Sequence, residues 1–146
     1  MLFRSAPQPG VAELSALADR VRATGLIVEV IVEGAAFPLG AAAELTLYRI
    51  VQEALTNTLR HAGARHAKVA ICYAKPRVQV RVTDDGAARR DDGASRPDDV
   101  ASPGHGLDGM RERVALHGGV LRAGPGPASA DGWLVEASFR VEQVPA

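Results

Sequence analysis

Glu53 and Asn57 form the first pair in this sequence whose types and spacing could do chemistry. They lie four positions apart in the segment LYRIVQEALTNTLRHAG, residues 47–63, so on a helix both side chains project from one face about one turn apart. A carboxylate and a carboxamide placed in this way can orient a water molecule and a cation. The same pair is also common on the polar face of an ordinary helix, so these two residues alone leave both interpretations open.

An acidic pair and a glycine cluster follow further along the chain. Asp84 and Asp85 come directly after the alternating run RVQVRVT and precede Gly86, so two carboxylates stand where a strand ends and a glycine permits a sharp turn. The segment GHGLDGM, residues 104–110, precedes a helical pattern, and such glycines can bring backbone N–H groups to phosphate oxygens. A plain acidic turn also explains the aspartates, and taken alone the glycine cluster is better explained as a turn that caps a helix.

Hydrophobic periodicity predicts the elements that must position these residues. Residues 47–63 carry apolar side chains at helical spacing, which predicts one amphipathic helix with a core-facing stripe. That stripe consists of Leu47, Ile50, Val51, Ala54, Leu55, Thr58 and Leu59. Further helices are predicted over residues 11–24 and 110–118. Strands are predicted over residues 26–33, 66–73, 77–83, 120–123 and 133–141, and the second and third of these form a hairpin.

Length and composition predict one domain in a reducing compartment. The chain has 146 residues, 47% of them hydrophobic, which is enough for a single core without disulfides. Basic and acidic residues number 17 each, so no net charge draws the chain to nucleic acid or to an anionic membrane surface. The single cysteine, Cys72, lies in an alternating apolar run and is predicted to be a small buried hydrophobic residue.

The sequence also predicts how the chain is divided and where it acts. Residues 1–10 carry prolines and a glycine without periodicity and are predicted to be a linker remnant. Residues 11–146 are predicted to form the domain, and the irregular segment 87–104 to form a mobile loop within it. With no transmembrane-length apolar run and no signal peptide pattern, we expect a cytoplasmic location, which is also compatible with a membrane-anchored parent protein.

Three motifs, taken in order, resemble a single family. They are EALTN followed by RHA, VTDDG, and GHGLDGMRERV followed by LHGG. Together they are similar to the ATP-binding catalytic domain of sensor histidine kinases, in the nitrate/nitrite-sensor-like branch that signals to helix-turn-helix response regulators. The resemblance covers residues 7–141. It implies the Bergerat fold of the GHKL superfamily: an α+β two-layer sandwich with a mixed, mainly antiparallel sheet and helices packed on one face.

The resemblance implies a role for each matching residue. Asn57 would bind Mg²⁺, and Glu53 would be the catalytic residue that holds or activates a water near the metal and the γ-phosphate. Asp84 would accept a hydrogen bond from the adenine amino group, which favours ATP over GTP, and Gly86 would let the backbone pass close to the base. The other nucleotide-binding candidates lie in the last turn of the long helix, in the ATP lid over residues 87–104 and in the helix after it. They are Arg60, His61, Gly104, His105, Gly106, Leu107, Gly109 and Met110.

Some of these candidates keep a second interpretation. Arg60 also fits an exposed cation at a helix end. Leu107 and Met110 also fit core positions. His105 fits the lid better than a metal site, because no other ligands lie at metal spacing.

Two positions depart from the family pattern. Ala88 stands where the acidic motif of the family usually ends in glycine, and the added Cβ predicts a stiffer lid. Trp133 stands where the family commonly has a threonine, whose hydroxyl supports the adenine-binding aspartate through a water. The resemblance therefore implies weaker adenine binding in this chain.

The resemblance implies a catalytic half of a kinase with ATP and Mg²⁺ as cofactors. The motif that carries the phosphoacceptor histidine is absent from this chain, so the implied partner is a separate dimerisation and phosphoacceptor domain, with a response regulator downstream and no direct contact with nucleic acid or membrane. Two alternatives share the fold. One is a serine protein kinase of the anti-sigma-factor type, and the other is a non-catalytic nucleotide-binding regulatory module.

Overall fold

A computed structural model describes residues 11–60, 63–86, 103–125 and 132–141, with the backbone alone at residues 103–107. A 3₁₀ turn, Val11–Glu13, precedes three helices: α1 (Leu14–Arg22), α2 (Ala41–Arg60) and α3 (Pro103–Leu116). The five strands are β1 (Ile27–Glu33), β2 (His66–Ala74), β3 (Arg77–Asp84), β4 (Val120–Pro125) and β5 (Trp133–Arg140). The predicted linker, His61, Ala88 and nearly all of the predicted lid lie outside the described residues.

The strands form one mixed sheet in the order β1-β2-β3-β5-β4. The β1–β2 pair is parallel, because α2 carries the chain back along the strand direction so that β2 starts beside the start of β1. The remaining three pairs are antiparallel. In the predicted hairpin, Ala74 pairs with Arg77 across the tight link between β2 and β3. The mixed, mainly antiparallel sheet is therefore confirmed.

The helices cover one face of the sheet. Alternate residues of the central strands, including Ile71, Val80 and Phe139, are fully buried against them. The intervening residues, such as Gln79 and Arg81, lie on the opposite face and are half-buried or exposed. Cys72 shares that open face and is only half-buried, so the prediction of a buried thiol was wrong. The two-layer α+β arrangement is confirmed.

Helix α2 is longer than predicted, and its stripe is narrower. It begins at Ala41, directly after Gly40, whose φ of 85° marks the turn that ends the preceding segment. The stripe from Leu47 to Thr58 is buried as predicted, but Leu59 is 44% exposed. Leu59 lies about 100° around the helix axis from Thr58, at the rim of the covered face. The described residues contain no helix that combines the length and apolarity needed to cross a membrane.

Helix α3 begins earlier than the sequence predicted. Its first residue is Pro103, so Gly104, Gly106 and Gly109 lie on the helix itself instead of forming a loop before it. Proline favours the first helical position, because its fixed φ suits a helix and its missing N–H would have no acceptor there. The first turn of α3 therefore takes the place of the predicted glycine loop.

A charged network stabilises the open face of the sheet. Glu136 on β5 is 8% exposed and lies between Arg81 on β3 and Arg122 on β4. Arg81 donates two hydrogen bonds to Oε2, at 2.9 and 2.7 Å, and Arg122 donates one to Oε1 at 2.7 Å. The hydrogen bond from Arg122, joined by those from Arg81, outweighs the opposing effect of burial and lowers the pKa of Glu136 below its ordinary value of 4.5.

We expect Glu136→Gln to destabilise the fold by about 1–2 kcal/mol at neutral pH, since it removes the charge that both arginines contact. A carboxylate with a depressed pKa stabilises the folded state above its unfolded pKa, near 4.5, and this contribution disappears as pH falls through the folded pKa. Urea unfolding at several pH values should therefore show wild type and variant converging in acid. Glu29→Gln, an exposed position on β1, is the control. A difference that stays constant with pH would contradict this account.

Candidate functional site

A hydrogen bond joins helix α2 to the end of strand β3. The Thr58 hydroxyl lies 2.8 Å from Oδ2 of Asp84, although the two residues are 26 positions apart in the chain. Asn57 precedes Thr58 on the helix, so the polar face predicted from Glu53 and Asn57 ends beside the acidic strand end. The packing of α2 on the sheet thus brings two of the sequence motifs into one site.

Asp84 is the last residue of β3 and is half-buried. Its Oδ1 atom accepts a hydrogen bond from the backbone N–H of Gly86 at 3.0 Å, and its Oδ2 atom contacts Thr58. Trp133, the first residue of β5, is its cross-strand partner. Cross-strand partners project from the same face, so the indole of Trp133 shares the helix-covered side with Asp84.

Asp85 has a structural role that separates it from Asp84. Its Oδ1 accepts hydrogen bonds from the backbone N–H groups of Arg65 and His66 at 2.8 and 2.9 Å, and its Oδ2 lies 2.8 Å from the His66 ring. Burial opposes ionisation, but the hydrogen bonds from His66 and Arg65 outweigh it and lower the pKa of Asp85 to about 2. Asp85 therefore ties the end of β3 to the start of β2.

Two glycines allow the close packing around Asp84. A Cβ on Gly86 would lie 3.2 Å from Oδ1 of Asp84 and 3.3 Å from Cβ of Ala64, which is tight enough to disturb the carboxylate. Gly132 has a φ of 154°, and a Cβ there would collide with the backbone carbonyl oxygen of Asp84. Position 132 therefore needs glycine, whereas a side chain at position 86 would require the Asp84 carboxylate or Ala64 to shift by a few tenths of an ångström.

The polar side chains of α2 that were predicted to bind the nucleotide or the metal differ in solvent exposure. Glu53 is half-buried, whereas Asn57 is 5% exposed. Arg60, at the last position of α2, is exposed. The carboxamide thus lies in a largely dehydrated position beside Thr58, with the carboxylate one turn away toward the helix N-terminus.

The glycine cluster supplies backbone N–H groups at the start of α3. Gly104 and His105 lie in the first turn, where backbone N–H groups have no acceptor within a helix. A Cβ on Gly109 would meet open space. Met110 is half-buried and packs against the core, as its core interpretation predicted. The structure does not describe the side chain of Leu107.

Sequence reasoning missed the contribution of Thr58, which it placed in the apolar stripe. A hydroxyl inside a buried stripe was the available signal, since such a group needs a hydrogen-bond partner. Trp133, at the position that the resemblance aligns with the supporting threonine, is the cross-strand partner of Asp84. The hydroxyl at this carboxylate comes from the helix instead.

The donor set fits magnesium bound together with a triphosphate. Within the residues that the structure describes, His, Cys, Asp and Glu side chains form no group of three or more able to hold a metal ion. Magnesium prefers oxygen ligands, retains several waters and is commonly bound by one or two protein groups plus substrate phosphates. The Asn57 carboxamide oxygen, with the Glu53 carboxylate one turn away, suits that mode of binding.

The chain resembles known proteins in sequence and in fold. Residues 42–143 match the family described as histidine kinase-, DNA gyrase B-, and HSP90-like ATPase. The chain is 43% identical over 76 residues to the sensor histidine kinase YxjM of Bacillus subtilis, covering 52% of this chain and 16% of that protein. It is 33% identical over 104 residues to the sensor histidine kinase LnrJ of the same organism, covering 71% of this chain and 24% of that protein.

Solved structures show the same fold at low sequence identity. The blue-light activated histidine kinase of Erythrobacter litoralis EL346 matches with a TM-score of 0.66 and 19% identity, over 92% of this chain and 46% of that one. The catalytic domain of the histidine kinase ThkA matches with a TM-score of 0.62 and 14% identity, over 90% of this chain and 94% of that domain. The second match covers nearly the whole of both chains.

The family match defines the class of protein as an ATPase-type domain, and the solved structures show that its fold is the one found in histidine kinases. The chain belongs to the family of histidine kinase-, DNA gyrase B-, and HSP90-like ATPases. It spans 16% and 24% of the lengths of the curated relatives YxjM and LnrJ.

Proposed function

We propose that this chain binds Mg-ATP and presents the γ-phosphate to a histidine on a separate dimerisation and phosphoacceptor domain. The observation that carries the proposal is the contact between Thr58 and Asp84. This contact joins Asp84, which we assign to adenine, to the residue that follows Asn57 on α2, which we assign to the metal, and it thereby supports the proposal. One nucleotide can therefore contact both ends of the site.

Asp84 holds the adenine end in this proposal. An ionised carboxylate only accepts hydrogen bonds, so it pairs with the 6-amino group of adenine and disfavours a carbonyl at that position. Gly86 lets the chain turn away directly after the carboxylate without a Cβ that would press on it. This end of the site selects ATP over GTP.

The phosphate end is formed by α2 and α3. The Asn57 oxygen would hold Mg²⁺, and Glu53 would hold or activate a water near the metal. When bound, the metal neutralises charge on the phosphate oxygens. The N–H groups of Gly104 and His105 in the first turn of α3 would contact the phosphates. Further residues assigned to the nucleotide are Arg60, His61, Gly106, Leu107, Gly109 and Met110.

Phosphoryl transfer then depends on position and charge. The chain would orient the γ-phosphate in line with a histidine from the acceptor domain, so that transfer rests on positioning and charge neutralisation and not on covalent catalysis by this domain. A response regulator acts downstream of the phosphorylated histidine. The serine-kinase and non-catalytic alternatives gain no support from the relatives described above, which are named as histidine kinases.

A calorimetric titration tests this proposal directly. We expect the wild-type chain to bind ATP in the presence of Mg²⁺ and to bind it more weakly when the metal is chelated. Incubation with Mg-ATP and the dimerisation domain of a sensor histidine kinase should then yield acid-labile phosphate on that domain. Failure to bind ATP in a magnesium-dependent way would overturn the proposal, and acid-stable phosphate on a partner would favour the serine-kinase alternative.

A further inference from the structure

Thr58 has a buried hydroxyl with two acceptors in reach. The residue is 2% exposed, so its hydroxyl needs a partner within the protein. Its Oγ1 lies 3.0 Å from the carbonyl oxygen of Ala54 and 2.8 Å from Oδ2 of Asp84. A hydroxyl donates one proton, and a hydrogen bond to a carboxylate is stronger than one to a neutral carbonyl. The proton of Thr58 is therefore assigned to the bond with Asp84.

Thr56 shows the ordinary behaviour of a threonine on the same helix. It is half-buried, and its hydroxyl donates at 2.8 Å to the carbonyl oxygen of Gln52, four residues earlier. This bond back to the helix is common for threonine and involves no other element. The two threonines share residue type, helix and a backbone carbonyl oxygen within reach of the hydroxyl, and they differ in burial and in the contact of Thr58 with Asp84. Thr56 is thus a matched control.

The carboxylate of Asp84 is held from two sides. Thr58 on α2 contacts Oδ2, and the N–H of Gly86, beyond the end of β3, contacts Oδ1 at 3.0 Å. Rotation of the carboxylate plane would break one of these bonds. A carboxylate with a fixed plane directs its lone pairs in fixed directions, and an acceptor oriented in advance binds its donor at lower entropic cost.

We propose that Thr58 is a positioning residue that orients Asp84 to recognise the 6-amino group of adenine. Thr58 thereby sets the preference for ATP over a nucleotide with a carbonyl at that position. The inference rests on the proposed function, in which Asp84 binds the base. Trp133, the cross-strand partner of Asp84 on β5, has no hydroxyl, and Thr58 on α2 supplies one to the carboxylate.

Isothermal titrations of the chain with Mg-ATP and with Mg-ITP, which carries a 6-carbonyl, test the proposal. We expect Thr58→Val to lower the ratio of ATP affinity to ITP affinity about three- to tenfold, the effect of one hydrogen bond. Thr58→Ser, which keeps the hydroxyl, should retain the wild-type ratio, and so should Thr56→Val. In an Asp84→Asn background, Thr58→Val should change the ratio no further. If the valine variant does not fold, Thr58→Ala replaces it.

The outcomes separate this inference from the proposed function. A wild-type ratio in folded Thr58→Val, or an equal loss of affinity for both nucleotides, would overturn the role of Thr58 and leave the kinase proposal intact. A wild-type chain that binds ATP and ITP equally well would overturn it too, because Asp84 then does not read the amino group. A wild-type chain that binds no ATP would contradict the proposed function itself.

Discussion

Asp84→Asn is expected to weaken ATP binding at least tenfold and to abolish the preference for ATP over ITP. Three donors converge on this side chain in the proposed complex: the Thr58 hydroxyl, the Gly86 N–H and the adenine amino group. A carboxamide has one acceptor oxygen, and its NH₂ group faces at least one of these donors. A lost hydrogen bond to a charged group costs about 1.5–3 kcal/mol, which corresponds to roughly ten- to a hundredfold in affinity.

Calorimetric titration of the variant with each nucleotide measures this effect. Asp19→Asn removes an exposed carboxylate of α1 that pairs with Arg22, and it should bind ATP like the wild type. A thermal melt shows whether Asp84→Asn remains folded. ATP affinity within twofold of wild type in a folded Asp84→Asn protein would show that this carboxylate does not bind the base.

Asn57→Ala is expected to remove the magnesium dependence of ATP binding. The proposed site holds the metal through one carboxamide oxygen and the triphosphate, so no second protein ligand compensates for its loss. ATP affinity with Mg²⁺ present should fall about tenfold or more, toward the value measured with a chelator. Phosphoryl transfer to an acceptor domain should fall further, because the metal also neutralises charge during the reaction.

Two further variants control for the burial of Asn57, which is 5% exposed. Asn57→Asp keeps an oxygen ligand of the same length and should retain magnesium-dependent binding. Gln52→Ala removes a carboxamide from another face of α2, one that accepts a hydrogen bond from Arg49, and should behave like the wild type. If Asn57→Ala still binds ATP more tightly with magnesium than without it, the metal is not held by this residue.

The periodicity of the sequence determined most elements of the fold. The apolar stripe of α2 recurs at helical spacing because one face must be buried against the sheet, and the runs before and after Pro76 alternate because each strand buries one side. Helical spacing therefore predicted α2, and alternation predicted the five strands and the hairpin. The start of α3 at Pro103 was missed, because glycines read as a loop signal although a first-turn proline stabilises the helix.

Sequence alone also placed two acidic residues at a strand end, but it did not distinguish their roles. In the structure Asp85 turns to the backbone of Arg65 and His66, while Asp84 turns to α2. Residues next to each other on an extended chain project to opposite faces, so the two carboxylates have different neighbours. Those neighbours come from the sheet pairing, which local sequence does not specify.

The sequence by itself determined that Glu53 and Asn57 share a helix face and, through the order of its motifs, that the chain resembles histidine kinase catalytic domains. Only the tertiary structure decided that Thr58, assigned to the apolar stripe, contacts Asp84 and that Trp133 pairs with Asp84 across the strands. Helical spacing shows that Thr58 faces the core. It does not show which atom of the sheet lies opposite the hydroxyl, because that depends on how α2 packs across β3, a contact between residues distant in the chain.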